Sequence, residues 1–278
     1  MIRKVIKQNN NITALKTIIE NKLSIQFSLD GFSFSVYNII SKKEVYFREY
    51  EFENSQVTPE NLLLKIKDIF NTDTQLQNDF SSVLVIHQNN LSVLVPNRYF
   101  NEKELASYLN FNVKKLTIDY VAFDYLKVLE SKNVYIPYIN INNYLFQNFG
   151  EFEYKHHSTV LIEKLLNTTN SIEKTMFVNV SKSSLDIVVI ENNKLILFNT
   201  FSYNTREDFI YYILFVAEQL NLNVNEFSLH FTGKVNLEDG IYKITYKYIK
   251  NVYFLESNNP LFSELNIASH SNFILLGS

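Results

Sequence analysis

Cysteine is absent from this chain, which excludes disulfides, thiolate metal sites and cysteine nucleophiles. Tryptophan is also absent, and glycine and proline are scarce, with 5 and 4 residues among 278. This scarcity, together with 46% hydrophobic and 20% charged residues, excludes the collagen-like and disordered classes of protein. A globular chain of one large domain or two ordinary domains is expected.

An excess of charge and a long apolar run are missing as well. The 26 basic and 29 acidic residues leave a formal net charge of -3 at pH 7, so nucleic acid is not an expected partner. The longest apolar run, residues 209–217, is far shorter than the roughly 20 residues that cross a bilayer. Residues 1–22 are polar and mixed in charge, unlike a secretory signal. We therefore expect a cytoplasmic protein with no membrane span.

The stretch SLDGFSFSVYN, residues 28–38, contains a hairpin signal. Apolar residues occupy odd-numbered positions before Asp30-Gly31 and even-numbered positions after it. Asp-Gly is a preferred pair for a type I′ turn. A two-residue loop at this pair predicts three cross-strand contacts on one face: Leu29 with Phe32, Phe27 with Phe34, and Ile25 with Val36.

A second meander occupies residues 175–203. A four-residue loop at 181–184 predicts pairing of Met176 with Val189, Val178 with Ile187, and Val180 with Leu185. A turn at Asn192-Asn193 then predicts pairing of Val189 with Ile196 and of Ile187 with Phe198. The chain would thus contain two related sheets.

Each meander is followed by a helix signal and a further strand. Thr58 is a natural N-cap before Pro59, and Thr205 is a cap before acidic residues of a first helical turn. Residues 24–87 and 175–233 therefore both predict the order β-β-β-α-β. We place the two halves at 1–170 and 171–278.

The remaining segments give weaker signals. They predict a hairpin over 83–95, a helix opened by Asn101, strands at 134–139 and 151–155, and a helix ending near Leu166. After Gly233 they predict an aromatic strand region at 244–256, then a short helix and a terminal segment.

In this order of elements the chain resembles the actin-like ATPase superfamily, which includes actin, sugar kinases and the Hsp70 ATPase domain. The segments SLDGFSFSVYN and LFNTFSY resemble an uncharacterised bacterial family, domain of unknown function 3822. The resemblance implies a mixed α/β, ribonuclease H-like fold, duplicated into two halves that enclose a nucleotide. It also implies similarity to actin-like components of bacterial cell division and type IV pilus assembly, which act largely by binding proteins.

The resemblance also implies where a nucleotide would bind. In active members the first turn of each meander presents an acidic residue and glycine-rich backbone to the phosphates, and the carboxylate reaches Mg²⁺ through water. The matching residues here form a degenerate cleft, comprising Asp30 and Gly31, Lys182, Ser183 and Ser184, and Thr232 and Gly233. The first loop closes at once with Phe32, and the second has neither acid nor glycine. In the family a further strand ends in a Gly-Gly pair that contacts adenosine, whereas the matching strand here ends in Thr232-Gly233-Lys234 and keeps one glycine.

Other chemical signals favour structural interpretations. Thr232-Gly233-Lys234 lacks the spacing and the following hydroxyl of a P-loop. His156 and His157 are adjacent and have no further ligands at metal-binding spacing, so a surface or helix-start position is expected. No catalytic or metal-binding residue is predicted.

Three functions remain open from the sequence. The first is a noncatalytic actin-like scaffold, a pseudo-ATPase without a cofactor, that binds a protein partner or a second copy of itself. The second is an atypical ATPase or kinase that uses Mg²⁺-ATP. The third is an RNA-processing accessory, suggested by the interleaved basic and aromatic residues of 242–254. Whether the chain is an enzyme stays open, and the first function is favoured.

Overall fold

The computed structural model describes residues 2–5, 20–52, 58–110, 120–169, 172–257, 262–263 and 267–276. The chain divides into two units, Met1–Val160 with Leu275–Ser278, and Leu161–Ile274. Each unit contains one of the two predicted meanders. The division of the duplicated halves after residue 170 stays a prediction.

The first unit holds a six-stranded and a three-stranded sheet. Its strands are β1 (Ile2–Val5), β2 (Asn21–Ser28), β3 (Gly31–Asn38), β4 (Lys43–Phe52), β5 (Ser82–His87), β6 (Ser92–Pro96), β7 (Ala122–Leu126), β8 (Ser131–Tyr135) and β9 (Glu153–His156). The sheet orders are β1-β4-β3-β2-β5-β9 and β6-β8-β7. Because β2 is antiparallel to β3 and parallel to β5, a crossover must join β4 to β5.

Helix α1 (Pro59–Thr72) supplies that crossover. The Thr58 hydroxyl accepts a hydrogen bond from the Asn61 amide at 3.3 Å, so the predicted cap is confirmed. The helix buries the predicted stripe of Leu62, Ile66, Ile69 and Phe70 against the apolar face of the sheet. Helices α2 (Leu105–Leu109) and α3 (Ile139–Phe149) follow, and α4 (His157–Thr168) begins in this unit and continues into the second unit.

The second unit repeats the same arrangement. Its elements are β10 (Thr175–Val180), β11 (Ser184–Glu191), β12 (Lys194–Ser202), α5 (Arg206–Gln219), β13 (Ser228–Gly233), α6 (Gly240–Tyr248) and β14 (Asn251–Phe254). The sheet order is β12-β11-β10-β13-β14, with β10 parallel to β13. The first four strands of this order correspond to β4-β3-β2-β5, so the predicted duplication is confirmed at the level of topology.

The pairing of the first hairpin differs from the predicted one. Phe27 pairs with Phe32, and Ile25 pairs with Phe34, because the two-residue loop is Leu29-Asp30 and Gly31 already belongs to β3. Leu29 is consequently exposed, and its place on the buried face is taken by Leu23. The prediction of a loop at Asp30-Gly31 was wrong by one residue.

In the second meander, the three pairs predicted between β10 and β11 are confirmed. The turn at Asn192-Asn193 is also confirmed, with positive φ values of 49° and 56°, as a type I′ turn requires. The two pairs predicted beyond it were wrong, because a bulge between Val189 and Ile190 shifts the register. Val189 pairs with Leu197, and Ile187 pairs with Asn199.

Three predicted elements between and after the meanders are corrected. Residues 83–95 are not a hairpin, because β5 and β6 belong to different sheets. The strand predicted at 134–139 ends at Tyr135, and α3 begins at Ile139. Residues 244–248 belong to helix α6, so only the end of the predicted aromatic strand region, β14, is a strand. The short helix predicted after that region lies largely outside the described residues.

Candidate functional site

The first turn of the N-terminal meander is tight. The Asp30 amide donates to the Ser28 hydroxyl at 3.1 Å, and the Asp30 carbonyl accepts from the Phe52 amide at 3.0 Å. Gly31 does not have a positive φ, so the turn is not of the predicted type I′. A Cβ at Gly31 would lie 2.7 Å from the Tyr50 carbonyl oxygen. Glycine is therefore required at this position by the close approach of β4.

The first loop of the second meander, Ser181–Ser184, is held by its own backbone and by Tyr203. The Ser181 amide donates to the Ser184 carbonyl at 2.9 Å. The Tyr203 hydroxyl donates to the Ser181 carbonyl at 2.7 Å, and its amide donates to the Ser183 carbonyl at 3.0 Å. Lys182 and Ser183 are exposed. The loop thus has exposed side chains but contains neither a glycine nor a carboxylate.

The turn at the end of β13 has its donors occupied. The Gly233 amide and the Thr232 hydroxyl both donate to the His270 carbonyl, at 2.9 and 2.8 Å. The Lys234 amide donates to the Val180 carbonyl at 2.7 Å. Gly233 has a φ of +85°, and a Cβ there would lie 2.3 Å from that same carbonyl oxygen. Glycine is obligatory here, but its N–H group is bonded within the unit.

Five of the seven predicted site residues lie in one unit. Val180 is paired with Gly233, so the end of β10 that precedes Lys182, Ser183 and Ser184 adjoins the end of β13 that carries Thr232 and Gly233. Asp30 and Gly31 belong to the other unit. Whether the seven residues form one cleft stays a prediction.

The second unit also contains a buried polar row that was only partly anticipated. Asp186 was predicted to face away from Leu185 and Ile187, and it does so, with 2% of its surface exposed. Its carboxylate accepts from the Asn179 amide group at 2.8 Å and from the Thr200 hydroxyl at 2.7 Å. These three residues are cross-strand neighbours on β10, β11 and β12. The hydrogen bonds explain how a carboxylate is accommodated at this depth.

A larger polar network in the first unit was missed by the sequence analysis. The buried Asp124 carboxylate accepts from the Thr159 hydroxyl at 2.6 Å, the His156 amide at 2.8 Å and the Tyr135 hydroxyl at 3.0 Å. Burial nevertheless raises the pKa of Asp124 to about 6. The acceptors and donors come from β7, β8, β9 and α4, and no sequence spacing connects them. Their effect is to tie the start of α4 to the three-stranded sheet.

Both adjacent histidines are buried, so the predicted surface position was wrong. The predicted helix start is confirmed, since α4 begins at His157. His156 contacts the Ser158 hydroxyl through Nδ1 at 2.7 Å, and burial lowers its pKa well below the ordinary value. Among the described residues, no group of three or more His, Cys, Asp or Glu side chains could hold a metal ion. None of the described helices is long and apolar enough to span a membrane.

With this geometry established, the chain can be compared with known proteins. The model of a family described as protein of unknown function (DUF3822) matches residues 8–252. A Bacteroides thetaiotaomicron protein with actin-like ATPase fold and unknown function is 26% identical, with a TM-score of 0.79 over 90% of this chain and 97% of that chain. The PilM-PilN type IV pilus biogenesis complex is 10% identical, with a TM-score of 0.55 over 91% of each chain. No curated protein sequence matches this chain. The predicted actin-like ATPase fold is confirmed.

Proposed function

Because this chain belongs to the DUF3822 family and has an actin-like ATPase fold, we propose that it uses that fold as a protein-binding scaffold and does not hydrolyse nucleotide. The observation that carries this proposal is the internal bonding of the Thr232-Gly233 turn. In the active superfamily members that the chain resembles, this turn contacts adenosine. Here the His270 carbonyl occupies its hydroxyl and amide donors.

The two meander turns support the same interpretation. A phosphate site built from backbone needs several N–H groups that converge on one anion. The amides of Asp30 and Ser181 both donate to oxygen atoms of their own turns. We interpret the turns as degraded phosphate loops. Efficient phosphoryl transfer needs donors preorganised around the developing charge, and these loops supply few of them.

The surface supports a role in protein contacts. Large side chains such as those of Tyr211 and Tyr246 are more than half exposed, which is the kind of surface that partners cover. The pilus assembly protein of the same fold was solved as a two-protein complex, so the fold is compatible with such a role.

Calorimetric titration of the full chain with Mg²⁺-ATP, combined with a phosphate-release assay, tests the proposal. We expect neither saturable binding at micromolar ATP nor turnover, and an active actin-like ATPase provides the positive control. Asp30→Asn should behave like the parent chain. Micromolar binding that Asp30→Asn abolishes would identify Asp30 as a metal-side ligand and establish the atypical ATPase instead.

A further inference from the structure

The outer edges of the two corresponding sheets differ. In the first unit, β1 pairs antiparallel with the outer side of β4, with Ile2 opposite Phe52. In the second unit, β12 is the edge strand at the corresponding position. No other strand in the described part of the chain pairs with its outer side. The duplication thus supplies an internal comparison between a covered edge and an open one.

The open edge has few of the features that prevent strands from associating. Strand β12, KLILFNTFS, is nine residues long, contains no proline and has Lys194 as its only charged residue. Its pairing with β11 is regular over residues 197–202, is interrupted by the bulge and resumes at Leu195 and Lys194. The Tyr203 amide donates to the Ser183 carbonyl, so the backbone N–H of Tyr203 faces β11. Because backbone N–H and C=O groups alternate in direction along a strand, those of Phe198, Thr200 and Ser202 face away from β11. Of these, the Thr200 amide is bound by the Asn199 side chain.

An aromatic surface continues from this edge onto helix α5. The rings of Phe201 and Tyr212 stack with centroids 4.5 Å apart, and Tyr211 stacks on Phe215 at 6.1 Å. Tyr211 is 60% exposed and Phe215 is 41% exposed. An open strand edge beside exposed aromatic rings offers both main-chain hydrogen bonds and apolar contacts to an added strand.

The corresponding helix face in the first unit carries two charged residues in place of aromatic rings. Aligning the caps Thr58 and Thr205 places Lys65 at the position of Tyr212 and Asp68 at that of Phe215, whereas the position of Tyr211 is taken by Leu64, which is 59% exposed. The same alignment matches the buried positions of the two helices, including Leu62 with Phe209. The aromatic strip therefore accompanies the open edge, and two of its three positions are charged in the unit whose edge β1 covers.

We propose that β12 and the aromatic strip of Tyr211, Tyr212 and Phe215 form a self-association surface, on which a second copy of this chain pairs its own β12 antiparallel about a two-fold axis. This arrangement continues the sheet and places the two α5 helices on the same side of it, facing each other across the seam. The aromatic strips of both copies are then covered together.

Charge favours the antiparallel self-pairing. Lys194 begins β12, and the first turn of α5, close after the end of β12, carries Arg206, Glu207 and Asp208, with Arg206 and Glu207 in an ion pair at 2.8 Å. The turn therefore keeps one net negative charge. Antiparallel pairing brings Lys194 of each copy toward this turn of the other copy, which favours the antiparallel direction more than it adds affinity.

Sedimentation equilibrium of the full chain, without nucleotide, tests this surface. We expect a reversible dimer of twice the chain mass of 32.7 kDa. Phe215→Asp, which installs the first-unit residue, and Ile196→Lys, which charges the exposed edge, should each weaken association by roughly tenfold or more. Tyr253→Lys alters the opposite edge strand and should leave the dimer unchanged. The proposal is overturned if the chain is a monomer at all concentrations, or if neither Phe215→Asp nor Ile196→Lys weakens the dimer.

Crosslinking provides a test that does not depend on destabilising variants. Because the chain has no cysteine, Asn199→Cys introduces a single thiol at an exposed position in β12. A short bismaleimide should link two copies of this variant and should not link two copies of Tyr253→Cys. Equal linking of the two variants, or none of Asn199→Cys, refutes the proposed seam. A dimer would assign the proposed scaffold role to this surface. If no dimer forms, the separate expectation that the chain neither binds nor hydrolyses ATP is unaffected.

Discussion

Replacing His87 by glutamine should remove part of the acid sensitivity of the first unit. The His87 ring is completely buried at the end of β5 and packs edge-on against Phe27 at 4.9 Å. The Tyr138 amide donates to Nδ1 at 3.2 Å, so Nδ1 must be unprotonated. Nε2, 2.9 Å from the Asn142 side-chain oxygen, then carries the proton. A second proton would point at the Tyr138 amide.

The magnitude follows from the displaced pKa. Burial lowers the pKa of His87 from 6.5 to about 3, against a smaller opposing effect of Asn142. Below pH 6.5 the unfolded chain binds a proton that the folded chain excludes, so stability is present above this pH and is lost toward the folded pKa. From about pH 7 to about pH 5 this single group should remove about 2 kcal/mol from the free energy of unfolding.

Urea unfolding of the parent chain and His87→Gln at both pH values measures this difference. The variant loses the Nδ1 acceptor and should be less stable near neutrality, but its loss on acidification should be about 2 kcal/mol smaller. His156 and Asp124 titrate in overlapping ranges with opposite signs. The Asp124 contribution is common to both proteins, whereas the charge of His87 also lowers the pKa of His156, so part of the measured difference arises through His156. His230→Gln, at a partly exposed ring, should change the slope less. An unchanged acid loss in His87→Gln would refute the reasoning.

Four substitutions test the turns and a cap by thermal or urea unfolding. Gly31→Ala forces a Cβ to 2.7 Å from the Tyr50 carbonyl and should cost about 1–3 kcal/mol. At Gly233 an alanine would meet a closer contact and would also have to adopt a positive φ of 85°, so Gly233→Ala should cost roughly 3 kcal/mol or more. Gly240→Ala, at the first position of α6, should be neutral or slightly stabilising. Equal effects of these last two changes would contradict the contact analysis. Thr205→Ala removes half of a capping box and should cost about 1 kcal/mol, and a loss near zero would show that the cap is not needed.

Local signals were sufficient for the duplicated core. The caps at Thr58 and Thr205 and the apolar stripes behind them specify two helices whose periodicity is readable without tertiary information. The strands that flank the loop at 181–184 have the predicted pairing because no bulge interrupts their register. Topology could therefore be predicted from the order of elements, even though the two halves share few residue types.

The errors occurred where backbone packing overrides local preference. Asp30-Gly31 has the composition of a type I′ turn, but Gly31 is needed for the approach of β4 and not for its φ. The bulge at Val189 and Ile190 leaves no compositional mark. The network around Asp124 joins groups from four elements, which only the tertiary fold brings together.

The occupied turn at Gly233 also sets an energetic expectation for nucleotide binding. A ligand that used this turn would first have to displace the His270 carbonyl from the Thr232 hydroxyl and the Gly233 amide. Each of these groups would gain a new partner, but the displaced buried carbonyl would lose both of its bonds, at a cost of about 1–3 kcal/mol. Such a cost weakens binding by roughly 5-fold to 150-fold. Compensation would require strong contacts to the phosphates, and the turns of Asp30 and Ser181 have their amides bonded already. The same bonds hold the turn in place, which is compatible with the proposed scaffold role.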